Sequence, residues 1–488
     1  MISSVPLRQY AVLKATPELL RIYPRALVSA RSLARPEKRG RPRSQEVPDI
    51  QLFADNLLKK LGAPAQLAKT IKVESTPSFA AVPEIEGLDP RELQRLPDPD
   101  ELIIGYGFAD ETSLRQFRDL VQAKLGVALD EEGNAFLGIG ADPGGTTQDH
   151  FDPTAPDRIV VGDRRRARDL LGADALKAAG LDGRSVNVVI IDEGLDKTLI
   201  PAANWGGGWP VVDASGMVHL PGMTTPGTHA GMIARNVLDL APKALIYDVP
   251  LLPPRISNVP LFIGEADGVW RTVVQTIRLL RQLPRWSGPW VLVNAWGIFD
   301  RRSELPNLGD YTENPNHAFN RTVGATVAQD GLDVVFAAGN CGQFDPSPRC
   351  GEHDRGPGHS IYGANSHPMV LTLGAVLADE MWLGYSSEGP GQRRLSLAKP
   401  DLCAPSNFCE TRDANMLNSG TSAACAIAAG TVAALRTRWS GAAVPPLALK
   451  VLLTLTARRP RGGGWSRRLG YGILDAKAAV RALQSQFP

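Results

Sequence analysis

Two side chains in this 488-residue sequence are placed where they could act together as a base and its orienting acid. Asp192 directly follows the apolar run 186–191. A carboxylate at the end of a buried strand can fix the tautomer of a histidine and stabilise its charged form. His229 lies among small residues, in Pro-Gly-Thr-His-Ala-Gly, and histidine is the natural general base near neutral pH. Taken singly, a turn-capping aspartate and a structural histidine are the commoner interpretations.

Two further side chains have the chemistry of a nucleophile and of an oxyanion donor. Ser422 closes the segment Asn-Ser-Gly-Thr-Ser at the start of an alanine-rich helix, where backbone N–H groups and the helix dipole stabilise negative charge. Asn340 follows an apolar run, and its amide can donate a hydrogen bond to an oxyanion. A helix-starting serine and a turn asparagine are ordinary residues alone, so the signal lies in the order Asp192, His229, Asn340, Ser422.

This order resembles the subtilisin-like serine proteases, the subtilases, whose triad runs Asp, His, Ser along the chain. Four segments carry the resemblance: GRSVNVVIIDEGLD around Asp192, PGTHAGMIA around His229, VVFAAGNCG around Asn340 and NSGTSAACAIAAGTVAAL around Ser422. Weaker matches between and beyond these motifs extend it over about residues 163–488.

The resemblance implies a serine endopeptidase that acts through an acyl-enzyme. Ser422 would attack a peptide carbonyl, His229 would take and return the proton, and Asp192 would orient His229. The Asn340 side chain and the Ser422 backbone N–H would hold the oxyanion. This chemistry requires no cofactor and no metal. Subtilases often bind structural calcium, but no acid-rich loop in the sequence identifies a calcium site.

Several positions depart from the family pattern and bear on substrate binding. The family usually has Ser or Thr where Glu193 stands, and residues 294–297 occupy the segment that resembles the substrate-binding edge strand. The resemblance therefore implies Trp296, Gly297 and Gly339 as substrate-binding residues of an outlying branch of the family. A Trp296 packed in the core is an equal alternative.

The competing interpretation is a catalytically inactive, subtilase-like binding or scaffold protein. The unusual neighbours of Asp192 and His229 favour it, whereas a binding role would not require all four site residues to be retained. A lipase or esterase using the same three residue types is disfavoured, because the Gly-x-Ser-x-Gly elbow and the order Ser, Asp, His are both absent from the sequence.

The elements that must position these side chains follow from the hydrophobic pattern. Continuous apolar runs of strand length recur along the chain, at 186–191, 244–249, 290–293, 334–338 and 369–373. Such runs are typical of strands covered on both faces, and helical stretches lie between them. The pattern predicts an α/β fold with a mostly parallel, subtilisin-like sheet flanked by helices. Catalytic groups in such sheets gather beyond the carboxyl ends of the strands.

The N-terminal third has a different sequence pattern from the predicted catalytic domain. Residues 1–50 hold ten Lys or Arg against four Asp or Glu, and we interpret them as a basic flexible arm, a solvated tail or a contact for an acidic partner. Residues 51–145 contain a strand–helix–strand pattern and predict a smaller α+β domain, propeptide-like or regulatory. The stretch 141–156 is rich in Pro, Gly and Asp, which indicates a linker, and we assign the linker to residues 146–162. Residues 163–488 form the predicted subtilisin-like catalytic domain.

Two roles are open for the N-terminal region. As a propeptide it would be removed, with the basic run 164–166 as a candidate processing site. As a permanent domain it would bind the catalytic domain or a regulatory partner. The expected partner of the catalytic domain is a protein or peptide substrate.

Composition excludes some classes of protein. Lys and Arg number 53 and Asp and Glu 51, a formal charge of +2, which argues against a protein built to coat nucleic acid. No apolar stretch approaches 18 residues, so we expect no membrane span and no membrane partner. The first 20 residues lack the apolar core of a signal peptide, which predicts a cytoplasmic location.

Five cysteines do not form a disulfide scaffold. Cys341 and Cys350, and likewise Cys403 and Cys409, lie close enough in sequence to close small loops in an oxidising compartment, which would leave Cys425 over. Without an export signal we expect free thiols, with the two disulfides as the alternative.

Overall fold

The structure is a computed structural model. It describes residues 7–14, 58–59, 62–73, 83–93, 101–108, 110–125, 139–141, 160–212, 218–224, 229–251, 262–301, 311–410, 417–459 and 463–488.

Sixteen strands are formed within the described residues. In chain order they are β1 (Leu7–Lys14), β2 (Ile71–Val73), β3 (Glu84–Ile85), β4 (Glu101–Phe108), β5 (Ile139–Ala141), β6 (Asn187–Asp192), β7 (Trp205–Gly208), β8 (Val211–Val212), β9 (Val218–His219), β10 (Leu245–Pro250), β11 (Trp290–Asn294), β12 (Asp333–Ala337), β13 (Leu371–Val376), β14 (Leu402–Pro405), β15 (Phe408–Cys409) and β16 (Leu417–Asn418).

Eleven α-helices lie in the same parts of the chain. They are α1 (Ala65–Thr70), α2 (Pro90–Leu93), α3 (Glu111–Leu125), α4 (Arg164–Leu171), α5 (Asp174–Ala178), α6 (His229–Leu240), α7 (Phe262–Leu280), α8 (Ala318–Ala328), α9 (Gly420–Arg436), α10 (Pro446–Thr456) and α11 (Ala476–Gln486). Short 3₁₀ turns occupy Lys197–Leu199, Ala202–Asn204, Pro284–Trp286 and Gly363–Ser366.

The large sheet has eight strands in the order β14-β13-β12-β11-β6-β10-β7-β3. Neighbouring strands are parallel throughout, except that β3 runs antiparallel to β7 at one edge. Every residue of β6 is buried, as expected for a strand covered on both faces. The predicted α/β class, with a mostly parallel sheet flanked by helices, is confirmed.

Alternate residues of β6 face two separate apolar cores. Val188 and Ile190 join the core that contains α6 and α9, whereas Val189 and Ile191 join the core that contains α7 and α8. The sheet is therefore the middle layer of three, and the predicted site residues Asp192, His229 and Ser422 belong to the sheet and to one of the two helical layers.

Helix α9 is the most deeply buried helix of this layer and packs against α6 and against strands β11 to β14. Its sequence is dominated by alanine, which lets the helix approach its neighbours closely. At Gly430 a Cβ would lie 2.9 Å from the carbonyl oxygen of Val237 on α6, so this contact needs a residue without a side chain. The small residues of α9 thus fix the distance between the helix that begins with His229 and the helix that carries Ser422.

A second sheet, of four strands in the order β2-β4-β1-β5, is antiparallel throughout. With helices α1 and α3 it has the β-α-β-β-α-β arrangement of a split βαβ fold. The predicted strand and helix start near residue 110 are present, and Ser113 N donates to Asp110 Oδ1 over 2.7 Å. The predicted strand at 134–139 lies mostly outside the described residues, and β5 begins at Ile139.

Two features of the N-terminal third were not predicted. Residues 7–14, assigned to a flexible arm, form the strand β1 in the middle of the small sheet; the short apolar run 10–13 was the local signal that the basic charge counted over 50 residues obscured. Strand β3 pairs with β7 and so belongs to the large sheet rather than to the small one.

The basic run 164–166 begins helix α4, whose first turn is capped by Asp163. The Arg164 side chain is largely buried, with its Nε 2.6 Å from Glu410 Oε2 and its Nη1 3.2 Å from Asp239 Oδ2. A helical, ion-paired arginine does not offer the extended backbone that a protease needs. No helix among the described residues is both long and apolar enough to cross a membrane.

One buried ion pair closes the far end of α9. The guanidinium of Arg436, which is 2% exposed, binds both carboxylate oxygens of Asp333 over 2.6 and 2.7 Å and also donates to two backbone carbonyls. Because removal of one partner leaves the other charge buried and unpaired, Arg436→Met is expected to lower the free energy of unfolding by about 3–5 kcal/mol, measured by denaturant titration.

The double variant Arg436→Met/Asp333→Leu should recover most of that loss, because no charge is left unpaired. Arg278→Met, which breaks the more exposed pair with Asp330, is the matched control and should cost less than about 1 kcal/mol. Equal losses for Arg436 and Arg278 would contradict this account.

Candidate active site

Asp192 and His229 meet at the carboxyl edge of the large sheet. Asp192 is the last residue of β6 and His229 is the first residue of α6. The Oδ1 atom of Asp192 lies 2.8 Å from Nδ1 of His229 and also accepts a hydrogen bond from the backbone N–H of Glu193 over 2.8 Å. Both side chains are buried, with Asp192 2% exposed. The carboxylate therefore holds the ring through Nδ1 and leaves Nε2 for a second partner.

The charge of Asp192 sets the basicity of this histidine. Burial alone would lower the pKa of His229, but the Asp192 carboxylate and its hydrogen bond outweigh burial, and the pKa is raised above its ordinary value. The carboxylate of Glu193 contributes in the same direction. A buried imidazole stabilised in its charged form is suited to accepting a proton during a reaction.

Asn340 and Ser422 are brought together by the residue between Gly420 and Ser422. The backbone N–H and the hydroxyl of Thr421 both donate to Oδ1 of Asn340, each over 3.0 Å. The carbonyl end of the amide is thereby fixed, which leaves the Nδ2 donor directed away from Thr421. At Gly420, where φ is +72°, a Cβ would lie 3.4 Å from Asn340 Nδ2 and 3.6 Å from Ser422 Oγ, so both groups border the same point.

Ser422 lies in the first turn of α9 and is 3% exposed. Its Oγ donates to the carbonyl oxygen of Ala295 over 3.3 Å. Within the described parts of the chain, Ser422 makes no hydrogen bond with His229, although their helices pack against each other. Catalytic hydrogen bonds are often long or unformed until a substrate binds, so this geometry is compatible with a resting site.

The three residues predicted to bind substrate, Trp296, Gly297 and Gly339, differ in how they lie relative to the site. The Trp296 ring packs in the core, stacked on Phe319 with centroids 6.0 Å apart and edge-on to Phe336 at 5.5 Å. The side chain is therefore a packed core tryptophan, which was the alternative interpretation of the sequence. Phe319 and Phe336 supply the aromatic surroundings of the ring. The backbone N–H of Gly339 donates to Thr421 Oγ1 over 3.1 Å, which places Gly339 beside the Asn340 amide.

Two side chains that the sequence did not single out organise the rim of the site. The Nδ2 group of Asn365 donates to the carbonyl oxygens of Trp296 and Ala337, 2.8 Å each, and so joins the ends of β11 and β12 next to Gly297. An asparagine in a loop gives no local sequence signal for this bridging contact.

Asp248 is the second such residue. It is fully buried in β10 and its Oδ2 accepts hydrogen bonds from the backbone N–H groups of Leu195 and Gly222, over 3.0 and 2.7 Å. Burial raises the pKa of Asp248 to about 7. It anchors the loop that follows Asp192, and an acid inside the apolar run 244–249 was the available signal.

The cysteines divide into one disulfide and three thiols. Cys341 and Cys350 are joined, so the expectation of free thiols is wrong for this pair. The chain between them turns back on itself, with the backbone N–H of Ser347 bound to the carbonyl of Asn340 over 2.8 Å, and this brings the Cα atoms within 5.8 Å. Cys403, Cys409 and Cys425 are buried and form no disulfide, as expected. Within the described residues, no group of three His, Cys, Asp or Glu side chains is arranged to hold a metal ion.

Comparison with known proteins matches part of the chain to one family. Residues 262–472 match the family model described as the subtilase family. The chain is 31% identical over 163 residues to Mycosin-1 of Mycobacterium tuberculosis (strain ATCC 25618 / H37Rv), a match that covers 31% of this chain and 36% of Mycosin-1. The matched part is thus about a third of the length of that curated relative.

Two solved structures also match the chain. MycP1 from the ESX-1 type VII secretion system has a TM-score of 0.47 and 21% identity, covering 70% of this chain and 91% of MycP1. The serine protease of Aeromonas sobria has a TM-score of 0.43 and 15% identity, covering 63% of this chain and 62% of that protein. The predicted resemblance to the subtilases is therefore supported by the family match over residues 262–472 and by the similarity to Mycosin-1.

The predicted cytoplasmic location is wrong. The chain is similar to Mycosin-1, and MycP1 is described as coming from a type VII secretion system, which is inconsistent with that assignment. The expectation rested on a missing sequence pattern alone. The Cys341–Cys350 disulfide points the same way as the comparison, because disulfides persist in oxidising compartments.

The cysteine assignment gives a direct test. Alkylation of the unfolded, unreduced chain should modify the three cysteines outside the disulfide, Cys403, Cys409 and Cys425, and prior reduction should raise the count to five. Intact mass measures the count and peptide mapping identifies the linked pair. Five modified cysteines without reduction, or a different pair, would contradict the structure.

Proposed function

We propose that the chain is a serine endopeptidase that hydrolyses peptide bonds through Asp192, His229 and Ser422, with Asn340 in the oxyanion hole. The observation that carries the proposal is the buried hydrogen bond from His229 Nδ1 to Asp192, 2.8 Å long, on the helix packed against the one that carries Ser422. An aspartate that fixes Nδ1 and raises the pKa of the imidazole is what a general base for a serine requires.

The proposed reaction follows from these positions. His229 Nε2 takes the proton of Ser422 Oγ as that oxygen attacks the peptide carbonyl, and the new C–O bond makes a tetrahedral oxyanion. The Nδ2 group of Asn340 and the backbone N–H of Ser422 donate to this oxyanion. The intermediate collapses to an acyl-enzyme as the amine leaves with the proton from His229. A water molecule, deprotonated by His229, then attacks the acyl carbon; the ester bond to Ser422 breaks, the acid is released and His229 returns the proton to Ser422 Oγ. No step requires a cofactor, and a calcium ion would have only a structural role.

The substrate is proposed to be a protein or peptide bound along the segment 295–297 and Gly339. Ala295 O lies 3.3 Å from Ser422 Oγ, so this segment borders the nucleophile through its backbone. In this proposal the contribution of Trp296 to the cleft is its backbone, because its ring is in the core.

The N-terminal region is proposed to bind the catalytic domain as a permanent partner. Strand β3 pairs with β7, and Ile85 is 8% exposed in the core that contains Trp209 and Trp286. Removal of residues 83–93 would uncover this apolar surface and one edge of the sheet, and exposed sheet edges favour aggregation.

The alternative is a catalytically inactive, subtilase-like binding protein. One observation favours it: Ser422 Oγ is hydrogen-bonded to Ala295 O and not to His229. The two functions differ in whether Ser422 can be activated, which a hydrolysis assay decides.

Ser422→Ala is expected to abolish cleavage of unfolded protein and peptide substrates by the purified chain, because it removes the attacking oxygen. The matched control is Ser419→Ala, in the same motif, since the Ser419 side chain makes no capping hydrogen bond with α9. Cleavage is followed by mass spectrometry of the products. The proposal is supported if the parent and Ser419→Ala chains cleave the substrate and the Ser422→Ala chain does not. Equal cleavage rates in all three chains would contradict it.

Asn340→Ala is expected to lower kcat by about 10²–10³-fold with little change in KM, because its amide donates only to the charge that develops in the transition state. Steady-state kinetics on a peptide substrate measures both constants. A rise in KM at constant kcat would instead assign Asn340 to ground-state binding.

A further inference from the structure

Glu193 stands where the subtilase pattern usually has Ser or Thr, and its carboxylate lies against the start of the helix that carries His229. The backbone N–H groups of His229 and Ala230 donate to it. Glu193 is 5% exposed, so this carboxylate takes the place of water at the end of α6. Free N–H groups and the positive end of the helix dipole both favour an anion at this position.

Two consecutive residues therefore hold His229 from two sides. Asp192 binds the ring through Nδ1, and Glu193 binds the backbone of the same residue. The backbone N–H of Glu193 in turn donates to Asp192 Oδ1. Any change in the charge of Glu193 acts both on the position of α6 and on the ionisation of the imidazole.

Among the residues that the structure describes, four charged or titratable groups bear on Glu193 and His229. Asp192 precedes it, His229 faces it from α6, and Asp248 faces the same loop from β10 through its bond to Leu195 N. Arg349, from the disulfide loop, acts on His229 with the opposite sign. Burial and the charge of Asp192 raise the pKa of Glu193 to about 7, in the range where a histidine base titrates.

We propose that Glu193 is a positioning residue of the protease, which holds the His229 end of α6 and sets the pH below which His229 stops acting as a base. The inference rests on the proposed function, because it concerns the pH dependence of that same reaction. The negative charge of Glu193 stabilises the imidazolium, so the charge keeps His229 protonated to a higher pH than Asp192 alone would.

Glu193→Gln keeps the shape and one acceptor oxygen but removes the charge. The pKa of His229 then falls, and the acid limb of the pH profile of kcat/KM is expected to move to lower pH by about one unit. Glu193→Thr, which introduces a residue usual for the family, should move the limb in the same direction. The matched control is Glu388→Gln: Glu388 is fully buried and accepts a hydrogen bond from the backbone of Gln343, and its variant should leave the limb where it is.

The outcomes separate this inference from the proposed function. If the parent chain hydrolyses no peptide, the proposed function itself fails. If the parent is active and the Glu193 variants lose activity by one factor at every pH, Glu193 is only structural and the inference is overturned. An acid limb that does not move overturns it as well.

A second measurement needs no substitution at Glu193. In the Ser422→Ala chain, the NMR chemical shift of the His229 ring should change with pH in two steps. One step is the titration of the imidazole, and the other is the ionisation of Glu193, which perturbs the imidazole. A single-step titration would overturn the inference even if the Glu193 variants failed to fold.

Discussion

The structure depends on one constraint, the close packing of helix α9 against α6 and the parallel sheet. The helix can approach its neighbours because its buried face is alanine and glycine, and at Gly430 no side chain would fit against Val237. Since His229 begins one helix and Ser422 lies in the first turn of the other, this packing places a base and a hydroxyl at the same end of the layer. The sheet adds Asp192 and Asn340, because strands β6 and β12 end at that edge.

The same region concentrates buried carboxylates. Asp192, Glu193 and Asp248 are each buried, and each accepts a hydrogen bond from a backbone N–H group. Burial of a charge is costly unless it is hydrogen-bonded or paired. The loop after β6 supplies those donors, so the cost of burial is offset by groups that are fixed in place before any substrate arrives. The result is a negative environment in which a positive charge on His229 is stabilised.

Much of the fold could be read from the sequence because the central strands are continuous apolar runs. The order of Asp192, His229, Asn340 and Ser422 also sufficed to suggest the family whose model matches residues 262–472, since each residue is embedded in its own motif. Contacts between segments that are distant in the sequence could not be predicted from it. Strand β3 is two residues long, and nothing in Glu84–Ile85 indicates that it pairs with Gly207 and Gly208, which lie far along the chain. The ring of Trp296 lies in the core because Phe319 and Phe336 receive it, and neither is near it in sequence.

The central claim is that Ser422 is activated by the buried pair of Asp192 and His229. Labelling of the purified full chain with a fluorophosphonate probe, mapped by peptide mass spectrometry, tests it most directly, because such probes phosphonylate serines that a neighbouring base activates. The account predicts one labelled residue, Ser422, and loss of the label in His229→Ala. No label on Ser422 in the folded chain, or equal labelling with and without His229, would contradict it.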